Sequence, residues 1–277
     1  MSRLESLDLV AGNSVVMWSR EYLLQPESAP PVEIVEGRYL VRFARTPAEI
    51  DAALKLRFEV FNLEIGEGLD ASFETGRDVD EFDAICHHLI VIDRDENQVV
   101  GTYRCQTGEM AAAKGFYSAS EFNLSHIPSS VLLDAVELGR ACVSRPHRNT
   151  QVLFLLWKGL AAYVTYSRKR YLFGCCSLTS QDERQGMRVF ETLKASGHLH
   201  PKLHASPMPG FECDADNLGL DDATEVNIPK LFRIYLRFGA RVCGPPAIDR
   251  LFKTIDFLVL FDIKEMGEQW RRVFFGV

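Results

Sequence analysis

Charged residues interrupt several apolar segments of this sequence, and these interruptions are where it could do chemistry. The clearest case is "VELGRACV", residues 136–143, where Glu137, Gly139 and Arg140 lie within what reads as a buried strand. A buried charge is costly unless it is paired or used. Desolvation in an apolar strand would raise the pKa of Glu137 and make it a better general base. A structural ion pair with Arg104 or Arg140 is the alternative.

Gly139 lies between these two charges and bears on whether they can act together. A glycine inside a strand permits a β-bulge or a close approach of the backbone to a ligand, although it can also serve packing alone. Strict alternation places Glu137 and Arg140 on opposite faces of the strand. If both residues serve one site, the strand must therefore bulge near Gly139.

Four further charged residues are expected to form one buried cluster. At about 100° per residue, Arg57 projects from the same helix face as the apolar residue Ile50. Arg104 lies in a predicted strand, and Asp80 and Asp83 lie in an acidic run. Two interpretations remain open. In one, an arginine binds the carboxylate of a substrate with two hydrogen bonds, while the acids bind a cationic side chain of that substrate. In the other, the four residues pair with one another and only hold the fold.

The hydrophobic pattern predicts the elements that position these residues. Strands and helices follow in the order β-α-β-β-β-α-β-α-α-β-β, with an early hairpin and a later alternation of strands and helices. This order predicts an α/β (α+β) fold, in which a mixed and mostly antiparallel central sheet carries helices on both faces. The predicted strands are 39–45, 88–93, 99–106, 136–143, 171–178, 241–244 and 255–263, the predicted helices are 46–65, 151–168, 182–196 and 229–238, and residues 107–130 and 198–226 are expected to be largely irregular.

Length and composition favour one large domain with an appendage. The chain has 277 residues, of which 47% are hydrophobic and 25% charged. Prolines among polar residues predict an N-terminal extension over residues 1–36, followed by a single domain over residues 37–277. The formal net charge of −7 disfavours general binding to nucleic acid. Seven cysteines without a C-x-x-C pair, and no signal peptide or transmembrane segment in the pattern, predict a cytoplasmic protein with reduced thiols.

Five motifs follow one another along the chain. They are "LRFEVF" with Arg57 and Phe61, "DEFD" with Asp80 and Asp83, "VVGTYR" with Arg104, "ELGR" with Glu137 and Arg140, and the C-terminal "NIPKLFRIYLRFGARVCGPPAIDRLFKTIDFLVLFDI". Together and in this order they resemble the GNAT superfamily of N-acyltransferases. The similarity covers residues 39–263 and is strongest to the branch that contains ornithine-lipid N-acyltransferases, long-chain N-acyl amino acid synthases and acyl-homoserine-lactone synthases.

The resemblance implies a GNAT-like fold and an acyltransferase activity. The expected reaction transfers a long-chain acyl group, with a 3-hydroxyacyl group as one possibility, from an acyl carrier protein thioester to the α-amine of an amino acid. Ornithine is the first candidate acceptor, and the product would be a lyso-ornithine lipid or another N-acyl amino acid. The resemblance assigns Glu137 as the base, acting through water, and Gly139 to the strand that binds the thioester carbonyl. It also assigns acceptor binding to Arg57, Phe61, Asp80, Asp83, Arg104 and Arg140.

Departures from the family pattern narrow these expectations. The homoserine-lactone synthases favour Ser or Thr at the place of Gly139 and Trp near the place of Glu67. Both departures point away from the synthases that use S-adenosylmethionine and toward the members that acylate amino acids. Such a synthase stays an alternative, together with a non-catalytic acyl-chain binding protein. The loop "VSRPHRNTQ" has no glycine to cradle a pyrophosphate, which favours acyl carrier protein over coenzyme A as the donor. No bound cofactor is expected.

Two surface features suggest partners. Arg145, Arg148 and Lys158 are predicted to bind the acidic carrier protein or its phosphopantetheine arm, with an ordinary solvated face as the alternative. Apolar residues of the C-terminal segment, including Trp270 and Phe274, are expected to dock on the core, and peripheral contact with the inner membrane is the alternative.

Two further patterns complete the expectations. The helix around Trp157 is interpreted as core, with the lining of an acyl channel as the alternative. Three histidines between residues 198 and 204 lack the pattern of a metal site, so no metal is predicted.

Overall fold

The structure is a computed structural model that describes residues 30–213 and 227–276. Within these residues the main sheet has nine strands in the order β1-β2-β3-β4-β6-β7-β11-β10, with β9 also paired to β11. All neighbouring strands are antiparallel except β6 and β7. The strands are β1 (Glu33–Glu36), β2 (Tyr39–Phe43), β3 (His87–Asp93), β4 (Gln98–Thr107), β5 (Phe122–Asn123), β6 (Ala135–Val143), β7 (Tyr171–Leu178), β8 (Ser206–Pro207), β9 (Arg241–Val242), β10 (Ala247–Asp249) and β11 (Thr254–Asp262).

Helices cover both faces of this sheet, as the sequence predicts. Alternate residues of β3 face opposite layers: Leu89 belongs to the core formed with α4, whereas Ile90 belongs to the core formed with α1. This period of two is what a sheet buried on both sides requires. The helices are α1 (Pro47–Phe58), α2 (Ser72–Thr75), α3 (Ser129–Leu133), α4 (Thr150–Ser167), α5 (Glu183–Ala195), α6 (Lys230–Phe238) and α7 (Glu268–Phe275).

The first helix begins and ends where its local sequence specifies. Thr46 and Glu49 form a capping box, in which each side chain accepts a backbone N–H of the other residue, and Pro47 occupies the first turn. After Phe58 the helix continues as a π-helical segment, Glu59–Ile65. It ends at Gly66, whose φ of 73° only glycine adopts easily. The prediction that this helix extends to residue 65 is therefore confirmed.

Several short elements were not predicted, because tertiary pairing rather than local pattern supports them. Strands β5 and β8 pair with each other although Asn123 and its partner Ser206 are 83 positions apart (206 − 123) in the chain, and β10 pairs with β11. Strand β1 pairs with β2, so residues 33–36 belong to the sheet although they were assigned to the N-terminal extension. Residues 1–29 of that extension, and residues 214–226 of the segment expected to be irregular, lie outside the described residues.

The C-terminal helix α7 docks on the core. Trp270 and Phe274 each pack against Phe238, with ring centroids 4.7 and 5.6 Å away, and Phe274 also contacts Phe154 and Trp157 of α4. The aromatic face considered as an alternative membrane contact is therefore packed against the core, as expected. Over the described ranges, no helix combines the length and the apolar character needed to cross a bilayer.

Candidate active site

Strands β6 and β7 separate shortly after they begin to pair, and the gap between them opens a cavity. The parallel register covers only Ala135–Glu137 and Tyr171–Phe173. At the point of separation Gly174 lies so close to β6 that an added Cβ atom would be 2.2 Å from the carbonyl oxygen of Leu138. Beyond it, residues 138–141 and 174–177 of the two strands line a cavity of about 320 Å³. A cavity of this size is typical of a small-molecule site.

Strand β6 contains the bulge that is needed if Glu137 and Arg140 are to serve one site. Thr102 pairs with Cys142 and Arg104 pairs with Gly139, so two residues of β6 face one residue of β4. Arg140 has a left-handed φ of 50°, which is uncommon for a residue other than glycine. The bulge brings the Arg140 side chain to the same cavity as Glu137.

Gly139 faces open space in this strand. A Cβ atom added there would meet nothing within 4 Å, which argues against the packing interpretation. The backbone of Gly139 also lines the cavity, so the absent side chain leaves room beside the strand edge.

Glu137 is buried and held by backbone N–H groups rather than by arginine. Its two carboxylate oxygens accept the N–H groups of Tyr117 and Ser118, each at 2.8 Å. The alternative ion pair with Arg104 or Arg140 is therefore wrong. Burial raises the pKa of Glu137, and the hydrogen bonds from Ser118 and Tyr117 limit that rise. The result is a fixed carboxylate on the cavity wall that holds a proton more readily than an exposed glutamate.

The expected cluster of charges exists, and it contains three arginines and three aspartates. The Nε of Arg57 donates to Asp78 at 2.7 Å, and its Nη1 donates to Asp83 at 2.7 Å. Arg104 donates to Asp80 and Asp83, and Arg140 donates to Asp78 and Asp80 at 3.1 Å each. Arg57 has no solvent exposure.

Every aspartate of this cluster is engaged by arginine, so no carboxylate pair is left for a cationic substrate group. Burial alone would raise the pKa of Asp83, but Arg57 and Arg104 hold it far below its usual value. Arg57 itself does not line the cavity, whereas Arg104, Arg140 and Phe61 do. The contacts thus support the fold-holding interpretation for Asp80 and Asp83.

Tyr117 connects the charge cluster to Glu137. The guanidinium groups of Arg104 and Arg140 lie 5.3 and 4.8 Å from the centroid of its ring, while its backbone N–H donates to Glu137. Arg140 also stacks over Phe252 at 4.3 Å. Such cation–π contacts add to the pairing that fixes the two arginines. The cluster therefore holds one wall of the cavity rigid around Glu137.

The cavity has an apolar part and an acidic part. Trp157 of α4 lines it with its indole Nε1 buried and unbonded, whereas Leu155 of the same helix is fully buried in the core. The core interpretation thus holds for Leu155, and the acyl-channel interpretation of the helix stays a prediction. The other apolar lining residues include Tyr103, Leu172, Cys176, Phe232, Tyr235, Val259 and Phe261, and the acidic lining residues besides Glu137 are Glu67, Glu121, Asp249 and Asp256.

The three basic residues expected to meet a carrier protein lie outside the cavity lining. Arg148 pairs with Glu64 and also donates to the Val143 carbonyl at 2.9 Å, and Lys158 pairs with Glu36 at 2.7 Å. Arg145 is exposed in a short 3-10 turn before α4. The negative partners of Arg148 and Lys158 reduce the positive field that this surface can present.

Sequence reasoning gave no role in the site to Asp78, Glu121, Asp249 or Asp256, although Asp78 belongs to the acidic run and Asp256 to the C-terminal motif. Asp78 belongs to the same acidic run as Asp80, and only its contacts with Arg57 and Arg140 distinguish it. Asp256 carried a usable signal, since it is the one charge in the interior of the apolar strand β11, whose last residue is Asp262. Glu121 follows a short 3-10 turn and has no periodic pattern around it.

The splayed sheet and the cavity between its parted strands agree with a GNAT-like fold. Residues 56–158 match the family described as acetyltransferase (GNAT) domain. Among solved structures, an N-acyl amino acid synthase from uncultured soil microbes is similar at a TM-score of 0.49 and 12% identity, over 83% of this chain and 95% of that one. The acyl-homoserine-lactone synthase LasI is similar at a TM-score of 0.46 and 12% identity, over 87% of this chain and 96% of that one.

Within this superfamily the chain belongs to the L-ornithine Nα-acyltransferase family. It is 30% identical to the L-ornithine Nα-acyltransferase of Rhizobium meliloti, over 96% of this chain and 94% of the relative. It is 32% identical to the enzyme of the same name from Rhodobacter capsulatus, over 85% of this chain and 94% of the relative. The family assignment made from the five motifs is confirmed.

Proposed function

We propose that this enzyme transfers a long-chain acyl group from the thioester of an acyl carrier protein to the α-amine of L-ornithine. One observation carries the proposal: the cavity between β6 and β7 joins an apolar part, an acidic part and the Glu137 carboxylate. An acyl chain suits the apolar part, and a cationic amino acid suits the acidic part. The names of the relatives supply ornithine as the acceptor.

Glu137 is the proposed base. An amino acid arrives with its α-nitrogen protonated, and the neutral amine is needed to attack a thioester. The raised pKa of Glu137 is closer to the pKa of the α-ammonium group from which it must accept a proton. Since backbone N–H groups fix both oxygens, this carboxylate needs no rearrangement before it takes the proton.

The parted edge of β6 is the proposed site of the thioester. Its register with β7 ends at Glu137, and residues 138–141 line the cavity beyond that point. A backbone N–H near Gly139 would donate to the thioester carbonyl and stabilise the oxyanion formed when the amine attacks. Collapse of the tetrahedral intermediate breaks the C–S bond, which forms the amide and releases the carrier thiol after proton transfer to sulfur.

The side chains of Arg104 and Arg140 are the proposed partners of the acceptor carboxylate. Both line the cavity, and both are held in place by the aspartates behind them. A guanidinium with a fixed orientation loses little freedom when it binds a carboxylate. Phe61 contacts Phe252 at 5.5 Å between ring centroids and closes the same wall.

The loop before α4 supports a carrier protein rather than coenzyme A as donor. Residues 145–147 form a 3-10 turn without glycine, and the Asn149 side chain accepts the Val152 N–H at the start of the helix. Arg148 is already paired with Glu64. A pyrophosphate would have to compete with these contacts, whereas the phosphopantetheine arm of a carrier protein carries no nucleotide.

A direct assay tests this function. The purified enzyme is incubated with an acyl carrier protein thioester or the matching coenzyme A thioester and L-ornithine, and Nα-acylornithine is measured by mass spectrometry. We expect product with the carrier thioester. Glu137→Gln should lower kcat by about 10² to 10⁴, and Glu268→Gln on the exposed face of α7 should not change it. Full activity of the Glu137→Gln enzyme would show that the base is another group.

Two further measurements, combined with this assay, separate the two alternative functions. A homoserine-lactone synthase would bind S-adenosylmethionine, which isothermal calorimetry detects. A non-catalytic acyl-chain binding protein would copurify with fatty acid and yield no product with any amine.

A further inference from the structure

Three carboxyl groups meet at the acidic part of the cavity. Glu121 follows the 3-10 turn Tyr117–Ser120, Asp249 ends β10, and Asp256 lies in β11. One oxygen of each lies within 4.8 Å of the others. The three residues are 2, 6 and 3% exposed, and all line the cavity. We call them the acidic triad.

The acidic triad has hydrogen-bond donors but no cationic partner among the described residues. Asp249 accepts the backbone N–H groups of Leu251 and Phe252 at 2.8 and 2.9 Å. Asp256 accepts the hydroxyl groups of Thr254, at 2.8 Å, and Ser177.

Glu121 is the least satisfied member of the triad. Its Oε2 lies 3.8 Å from the Cys175 thiol, and its buried Oε1 has no hydrogen-bond donor. Burial raises the pKa of Glu121 well above its usual value, and Asp256 and Asp249 raise it further. A proton shared between Glu121 and Asp256 can relieve part of the repulsion among these three buried carboxyl groups, and a bound cation can relieve it further.

The chemistry of the triad fits an ammonium group. A primary ammonium offers three N–H donors, which matches three carboxyl acceptors around one point. Calcium would require six to eight oxygen ligands, and magnesium a near-octahedral set. The triad also shares its cavity with Glu137 and Gly139, so a ligand bound at the triad extends toward the proposed acyl-transfer point.

We propose that Glu121, Asp249 and Asp256 bind the side-chain ammonium group of the acceptor amino acid. The proposal rests on the proposed function and adds the residues that select a dibasic acceptor. It also accounts for regioselectivity. Carboxylates around the side-chain amine keep it protonated and therefore not nucleophilic, whereas the α-amine lies toward Glu137, which removes its proton. Acylation then occurs on the α-nitrogen.

The test compares L-ornithine with L-norvaline, which has a carbon chain of the same length but no side-chain amine. Wild-type enzyme should prefer ornithine by at least about 100-fold in kcat/KM, because a site built for a polar group rejects an analogue that lacks it. Glu121→Gln and Asp256→Asn should each reduce this ratio at least about tenfold, mainly by lowering the ornithine value. Asp262→Asn, on the same strand but paired with Arg170 and outside the cavity lining, is the matched control and should retain the ratio.

A binding measurement complements the kinetics and does not depend on turnover. Ornithine should raise the thermal midpoint of the wild-type enzyme more than norvaline does, and Glu121→Gln should remove this difference.

Each contrary result has a distinct meaning. Equal use of ornithine and norvaline by the wild-type enzyme overturns the triad proposal but leaves the acyltransferase function standing. A parallel loss on both acceptors in Glu121→Gln also overturns it, since that pattern indicates a base or a folding defect. Loss of the ornithine preference in EDTA, with recovery on adding Ca²⁺ or Mg²⁺, would assign the triad to a metal. If no amino acid is acylated, the proposed function fails as well.

Discussion

Two groups of buried charge lie on this cavity, and they differ in whether the protein itself completes them. The charge cluster contains three arginines and three aspartates, each bonded to a partner of opposite sign. The acidic triad contains three carboxyl groups, and within the described residues none of them forms an ion pair, with Arg140 acting on Glu121 only at longer range. A completed network holds structure, whereas an incomplete one stores a cost that a cationic ligand can relieve. The charge cluster thus supports the structure of the site, whereas the acidic triad is the group proposed to recognise the substrate.

The largest effect is expected from breaking the completed cluster. Arg57→Met leaves Asp78 and Asp83 buried without their main partner, which should lower the free energy of unfolding by about 3–5 kcal/mol. Arg77→Met is the matched control, because Arg77 pairs with Asp51 at a site where both side chains are more than a quarter exposed. That change should cost about 0–1 kcal/mol. Urea unfolding measures both, and equal costs would contradict the support role of the cluster.

The two groups should also give opposite dependences of stability on pH. Arginine holds the pKa values of Asp80 and Asp83 below normal, so their contribution is present above the unfolded-state value and is lost as acid protonates them. Burial holds the pKa values of Glu121 and Asp256 above normal, so the folded state binds more protons. Their contribution is complete below the unfolded value and is lost as pH rises through the folded-state values, by about 1.4 kcal/mol per pH unit for each titrating group.

Glu121→Gln tests the alkaline part of that dependence. Glu121 is flanked by Asp256, Asp249 and Cys175, with Arg140 as the nearby cation. Removing its charge should flatten the fall in stability that begins as pH rises above the usual glutamate pKa of about 4.3, without changing the loss in acid. Urea midpoints of the two proteins across this range provide the measurement. If the fall in stability toward alkaline pH is unchanged in Glu121→Gln, ionisation of the triad does not destabilise the folded protein.

The sequence predicted the completed cluster better than the incomplete triad, for a physical reason. Arg57 and Arg104 interrupt apolar periodic segments, so their burial and need for partners can be deduced locally. A bulge near Gly139 was expected on the condition that Glu137 and Arg140 serve one site, and the structure has a bulge at Arg140. Glu121 lies beside a turn without periodicity, and only the fold brings it to β10 and β11.

Ion pairing on the surface also escaped prediction from sequence. Arg148 and Lys158 read as a free basic patch, yet their partners Glu64 and Glu36 lie 84 and 122 residues away along the chain. No local pattern reports such pairing. A charged residue within an apolar, periodic segment can be recognised from the sequence as buried, whereas its partner can be identified only from the structure.

The smallest effect is expected at Glu67, which marks the edge of the acidic part. Its carboxyl group accepts the Thr179 hydroxyl, and burial raises its pKa, with Asp256 adding to the rise. Because it has a donor of its own and does not belong to the triad, it should interact with a bound ammonium only at longer range. Glu67→Gln should therefore change the ornithine-to-norvaline ratio less than about tenfold, and stability by less than about 1 kcal/mol. A loss of selectivity as large as that of Glu121→Gln would place Glu67 inside the recognition site and shift its centre toward β7.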